Sequence, residues 1–245
     1  MNEKIFIKKA SRLLGVNMQT LRRWDKSGRL KARRKKSGKK NFYFYEVEAL
    51  NDFLLENFSV LLKLAVKWAF NPAPIELPQK FYCPDKAIFK ARLSKFEFEL
   101  SRNQKFSKLF SLVVAIAGEI GNNSFDHNLG NWRDINGIFF SYSLKAKKLI
   151  LADRGQGILT TLKRVKPSLA DDKEALKMAF TEIISGRSPE SRGNDLKFVK
   201  QVVLEYGFKL SFYSGEAVLN LGKKEGLAIK NSDKFMGGCF AVLTF

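Results

Sequence analysis

The spacing of apolar and polar residues changes period several times along this chain. In IKKASRLLGV, Ala10, Leu13 and Leu14 recur as one face of a short helix, and Gly15 breaks it. Asn17 is a good cap for a second helix, MQTLRRWDKSG, which is expected to bury Leu21 and Trp24 and to turn Gln19, Arg22, Arg23 and Lys26 outward. The aromatic run Phe42 to Tyr45 is strand-like, and Ser37-Gly38 ahead of it is a turn signal, so the pair reads as a β-hairpin. EVEALNDFL supplies a third helix. Phe58 to Phe70 is amphipathic enough for a further helix, serving as an internal brace or a dimer contact. NPAPIELPQ, with three prolines in nine residues, ends that helix and reads as the join between two domains.

Beyond the join, residues 81–104 alternate weakly and fit either a hairpin or a helix. A helix is predicted over about Gln104–Asn122, then two β-rich runs in GIFFSYSLKAKKLILADRGQGI separated by a basic turn. A helical stretch DDKEALKMAFTEI, a helix in DLKFVKQVV, and the strands FKLSFYSGEAVLNLG and GGCFAVLTF complete the pattern. The whole is α+β: residues 1–56 as a small helical domain with a wing, 57–80 as helix and Pro-rich linker, and 81–245 as a mixed sheet with helices on one face.

Charge sharpens this division. The net charge is +20, and residues 1–50 hold 15 basic and 4 acidic side chains, a net +11. Eight Lys or Arg fall within residues 29–40, with no acid among them. An excess packed into one end suggests a polyanionic partner for that end, and a helix–turn–helix with a basic second helix suits a major groove. The N-terminus MNEKIFIKKASRL lacks a signal-peptide core, and FSVLLKLAVKWAF is too short to span a bilayer, so no membrane partner and a cytoplasmic location are expected. Cys83 and Cys239 form no C-x-x-C motif, which speaks against a disulfide framework or a zinc site.

The oily run LFSLVVAIAG leads directly into EIGNNSFDHN. Glu119, Asn123 and His127 recur at four-residue intervals and stack along one helical stripe, turned either to solvent or into a pocket. Downstream, Asp153-x-Gly155-x-Gly157 follows the strand KLILA, and SGRSPESRGNDL runs into a helix.

Two resemblances follow from these residues. ASRLLGVNMQTLRRWDKSGRLKARR, the aromatics after it and the E-x-E-A-L helix resemble the winged helix-turn-helix of the MerR/excisionase superfamily. That likeness implies double-stranded DNA as partner, with Gln19, Arg22, Arg23 and Lys26 in the groove and Arg33, Arg34, Lys35 and Lys36 on the wing as contacts. The Glu119…Asn123, Asp153-x-Gly155-x-Gly157 and 185–196 motifs, in that order, resemble the ATP site of the GHKL superfamily of histidine kinases and related ATPases. That second likeness implies a GHKL-type α/β sandwich with ATP and Mg²⁺ as cofactors. Asn123 would supply an amide oxygen to the ion, and Glu119 would be the general base. Asp153 would accept from the adenine amino group, with Gly155 and Gly157 allowing close backbone approach. Arg187, Arg192, Gly193 and Leu196 would lie by the phosphates. Asp195 departs from the family's G-x-G-L box and puts a carboxylate near those phosphates. Both family types commonly form homodimers. The expected function is an ATP-binding transcriptional regulator, with an anti-sigma-factor-like serine/threonine kinase acting on a separate phospho-acceptor protein as the alternative.

Overall fold

The computed structural model describes residues 4–37, 40–182 and 195–245, except the side chains of Ser37 and Lys40. It divides into two compact units. One holds Met1–Trp68 with Ile75–Lys80, and the other holds Ala69–Pro74 with Phe81–Phe245. The Pro-rich segment is therefore split between them: residues 69–74 are built into the second unit, and the chain then returns to the first.

In the first unit, β1 (Lys4–Phe6) leads into α1 (Ile7–Leu14), α2 (Met18–Lys26), the wing strands β2 (Arg33–Ser37) and β3 (Lys40–Glu46), the helix α3 (Val47–Glu56) and the helix α4 (Phe58–Phe70), whose last two residues, Ala69 and Phe70, are counted with the second unit. Asn17 caps α2 as expected, its side chain accepting from the Thr20 N–H at 2.7 Å. Strand β1 has no strong sequence signal; it is recruited as the third strand of the sheet β1-β3-β2, with Lys4 opposite Glu46 and Phe6 opposite Phe44. Ala10 and Leu14 of α1, Leu21 of α2, and Leu50 and Leu54 of α3 are all buried.

The second unit begins with the two-residue strand β4 (Tyr82–Cys83), then α5 (Lys86–Ser101) and α6 (Phe110–Asn128). Next come β5 (Ile138–Ser143), β6 (Lys148–Asp153), α7 (Gly157–Lys163), α8 (Asp172–Thr181), α9 (Asp195–Tyr206), β7 (Lys209–Gly222) and β8 (Gly226–Thr244). Residues 81–104 are thus mainly helix. The expected helix from Gln104 is a 3₁₀ turn over Gln104–Phe106 followed by α6, which carries on to Asn128 and so includes His127.

The expected mixed sheet is corrected. The order is β4-β5-β6-β8-β7, and every pairing is antiparallel. Strand β7 does run in the same direction as β6, but β8 lies between them, so no parallel ladder forms. The side chains of Phe140, Leu149, Leu151, Phe212 and Leu243 on one sheet face pack with α5, α6, α8 and α9 around a single core. Helix α5 packs at β4, α6 at β5 and β6, and α8 and α9 at β7, which sets their order across that face. Both cysteines are free.

Candidate functional site

On α2, Gln19, Arg22, Arg23 and Lys26 are all exposed, while Leu21 is sealed and Trp24 half-buried. Trp24 packs on Phe53 of α3, with ring centroids 5.0 Å apart, and the Arg29 guanidinium lies 4.5 Å above its ring. The wing cations divide into two kinds. Arg33 is 3.0 Å from Glu46 and Arg34 is 3.3 Å from Asp25, whereas Lys35 and Lys36 are exposed and enter no ion pair among the described residues. Gly38 of the expected Ser37-Gly38 turn, with Lys39 after it, lies outside the described residues.

Asp25 was not anticipated from the sequence, although it is the one acid between Gln19 and Lys36. It is buried on α2, where one carboxylate oxygen accepts from the Ala32 N–H at 3.0 Å and the other from Arg34. The Ala32 bond, aided by Arg34, holds its carboxyl below the usual value against the opposing effect of burial. The result ties the exposed helix to the base of the wing.

In the second unit, α6 presents three different edges. Phe125 meets Phe89 of α5 at a centroid distance of 6.0 Å, which assigns one edge to α5. Ile120, Ser124 and Asn128 are buried, and the last two reach Asp153 at the end of β6. Glu119, Asn123 and His127, about 100° further round the helix, are half-buried on the edge away from α5, and each is engaged with neighbours.

Asp153 is 1% exposed, and four donors converge on it. Ser124 Oγ donates to one oxygen at 2.8 Å. The other oxygen accepts from the Gly155 N–H at 2.9 Å, the Cys239 N–H at 3.2 Å and Asn128 Nδ2 at 3.3 Å. Burial raises the carboxyl pKa, with the four hydrogen bonds opposing that rise. Asn128 completes the arrangement, because its Oδ1 accepts from the Gln156 N–H at 3.0 Å. The missing side chain of Gly155 is the space that the Asn128 amide fills. Gly157 has φ +76°, a left-handed backbone that starts α7, and it sits beside Ser214. Ser124 and Asn128 are two residues that sequence reasoning missed; their signal was the same four-residue spacing, one position along from Asn123.

Arg154, next to Asp153, is fully buried. It clasps the Asp134 carboxylate through Nε at 3.0 and 3.1 Å and through Nη2. It also donates to the carbonyls of Ala69 at 3.2 Å, Asn71 at 2.9 Å and Pro72 at 3.2 Å. Burial alone would raise Asp134, and the Arg154 guanidinium more than reverses that.

Leu196 is half-buried in the first turn of α9. Topology sets where that turn lies. Lys209 of β7 and Lys148 of β6 both pair with Thr244, so α9 ends at the Lys148 end of the sheet and begins towards the Asp153 end. Arg187, Arg192 and Gly193 lie outside the described residues. Among the described residues, no group of three or more His, Cys, Asp or Glu side chains is placed to hold a metal ion. No helix among them is long and apolar enough to cross a membrane.

Comparison with known proteins bears on the first unit. Residues 6–43 match the family described as MerR family regulatory protein, a span that runs from the end of β1 to the middle of β3. These residues form a MerR-type helix-turn-helix DNA-binding domain of the kind found in transcriptional regulators. No curated protein and no solved structure matches the chain.

Proposed function

We propose that this chain is a DNA-binding transcriptional regulator whose second unit takes ATP with Mg²⁺ in a GHKL-type site, the nucleotide state tuning DNA binding or assembly. The observation that carries the reading is the Asp153 cluster. A carboxylate is held at a strand end by donors, and among the described residues Ser124 is the only donor on one of its oxygens. That oxygen keeps acceptor capacity for an exocyclic amine, which adenine has and guanine lacks at the equivalent position. Asn123 precedes Ser124 on α6, and its amide oxygen suits a Mg²⁺ ion that keeps most of its waters and phosphate ligands. Glu119 lies one turn earlier along the same edge, in reach of a role as general base. Leu196 and the opening of α9 supply backbone N–H groups towards the same end of the sheet. Asp153 is sealed, so entry of a base requires local opening around it, a cost that appears in the measured affinity.

For DNA, Gln19, Arg22, Arg23 and Lys26 supply the groove-facing set. Lys35 and Lys36 supply wing contacts to phosphates, with Arg33 and Arg34 drawn partly into internal pairs. A homodimer on a pseudo-palindromic site fits this class of module. The test is calorimetric titration of ATP with Mg²⁺ into the wild type and Asn123→Ala, followed by operator titration with and without ATP. Micromolar binding that weakens in the variant supports the reading; no binding by the wild type overturns it.

A second reading is a serine/threonine protein kinase directed to DNA by the first unit. It is favoured by the continuity of α6 through Asn128, which keeps Glu119, Asn123 and His127 on one edge. Transfer of labelled phosphate to a separate acceptor protein distinguishes it, and absence of any acceptor removes it.

A further inference from the structure

We propose that Arg154 is a positioning residue that transmits the state of the Asp153 cluster to the helix-turn-helix unit through the strap formed by residues 69–74. The strap belongs to the second unit, yet the chain on both sides of it belongs to the first. On one side it continues from α4, whose Lys67 Nζ donates to the Arg12 carbonyl of α1 at 3.2 Å. On the other side Glu76 lies 2.8 Å from Lys9, again on α1. Both contacts are exposed and contribute little by themselves. The covalent chain carries any displacement, and the contacts mark where it arrives.

Two anchors hold the strap, and each adjoins a partner of the Asp153 carboxylate. Arg154 follows Asp153 directly and donates to three strap carbonyls, at Ala69, Asn71 and Pro72. Phe70 packs edge-on against Phe240, at a centroid distance of 5.4 Å, and Phe240 follows Cys239, whose N–H donates to Asp153. A planar guanidinium with all its bonds directed has little freedom to follow a shift at Asp153 without moving the carbonyls it holds. Asp134 fixes the opposite side of that guanidinium. A change in the donors around Asp153 is thereby converted into a change at the strap, and from there at α1. The proposal rests on the nucleotide reading only for the identity of the natural signal.

The experiment is hydrogen–deuterium exchange on the full chain, read at α1, at residues 75–80 and at the β6–α7 turn. Two perturbations are applied separately: ATP with Mg²⁺, and Asp153→Asn. Backgrounds are wild type, Arg154→Lys, and the paired swap Arg154→Met with Asp134→Leu, which leaves no buried charge unpaired. In the wild type, exchange at α1 should change by about threefold or more. In both altered backgrounds that change should vanish while the response at the β6–α7 turn persists. A response at α1 that survives in either altered background overturns the proposal, as does its absence in the wild type under both perturbations. If Asp153→Asn moves α1 and ATP moves nothing, the nucleotide reading fails and the coupling stands. If ATP protects the β6–α7 turn but neither perturbation reaches α1, the coupling fails and the nucleotide reading stands.

Discussion

Gly155→Ala offers a direct test of how the Asp153 cluster is built. A Cβ at this position would overlap the Asn128 side-chain amide, and φ there is not in the left-handed region, so the clash is one of packing alone. Asn128 has to retreat by about an ångström or more to reach ordinary contact distance. That movement breaks its bonds to Asp153 at 3.3 Å, to the Ser124 carbonyl at 2.8 Å and from the Gln156 N–H at 3.0 Å. Overpacking costs about 1–3 kcal/mol, and each of the three buried bonds lost adds about 1 kcal/mol, so roughly 4–6 kcal/mol is expected in total. Asn128→Ala alone should cost about 2–3 kcal/mol, because the Gln156 N–H and one Asp153 oxygen lose a partner. With Asn128 already removed, however, the alanine methyl at position 155 has room. Gly155→Ala in the Asn128→Ala background should therefore cost at least about 1.5 kcal/mol less than in the wild type, a coupling of the size expected for residues in contact. Urea-dependent hydrogen exchange of the β6 amides reads the stability of this unit without interference from the other. Additive costs in the double variant would refute the packing argument.

Other outcomes follow from the same structure. Arg22→Ala and Arg23→Ala should weaken DNA binding and reduce its salt dependence, each by about one unit of slope, while leaving ATP affinity unchanged; fluorescence anisotropy across a salt series checks both. Asp25→Asn should destabilise the first unit by about 1 kcal/mol at neutral pH. Because the folded carboxyl of Asp25 sits below its ordinary value of 3.8, its stabilisation is present above that value and is lost as pH falls through the folded value. The melting temperatures of wild type and variant should therefore converge in acid, and a constant gap would show that the carboxylate is not the cause. Arg154→Ala should cost about 3–5 kcal/mol, since it strands the Asp134 carboxylate, whereas the Arg154→Met with Asp134→Leu pair should cost far less in the same urea titration.

Much of the first unit was legible in the sequence because its signals are local. Helix caps, breakers and the face of a short helix act within a few residues, so Asn17, Gly15 and the outward cations of α2 could be placed from their neighbours alone. The same locality put Glu119, Asn123 and His127 on one helical edge and Asp153 at the end of a strand. What these residues meet was decided by tertiary structure. The Asp153 cluster draws donors from α6, from the turn after β6 and from β8, which is 86 positions away in sequence at Cys239. Ser124 and Asn128 look no different in sequence from the polar residues beside them; only the packing of α6 on β6 buries them. The direction of each sheet pairing was likewise beyond local reading, because it depends on β8 entering between β6 and β7. Arg154 is the clearest case. One arginine among 44 basic residues was buried by the convergence of Asp134 and three strap carbonyls, groups that supply enough hydrogen bonds to offset its loss of water.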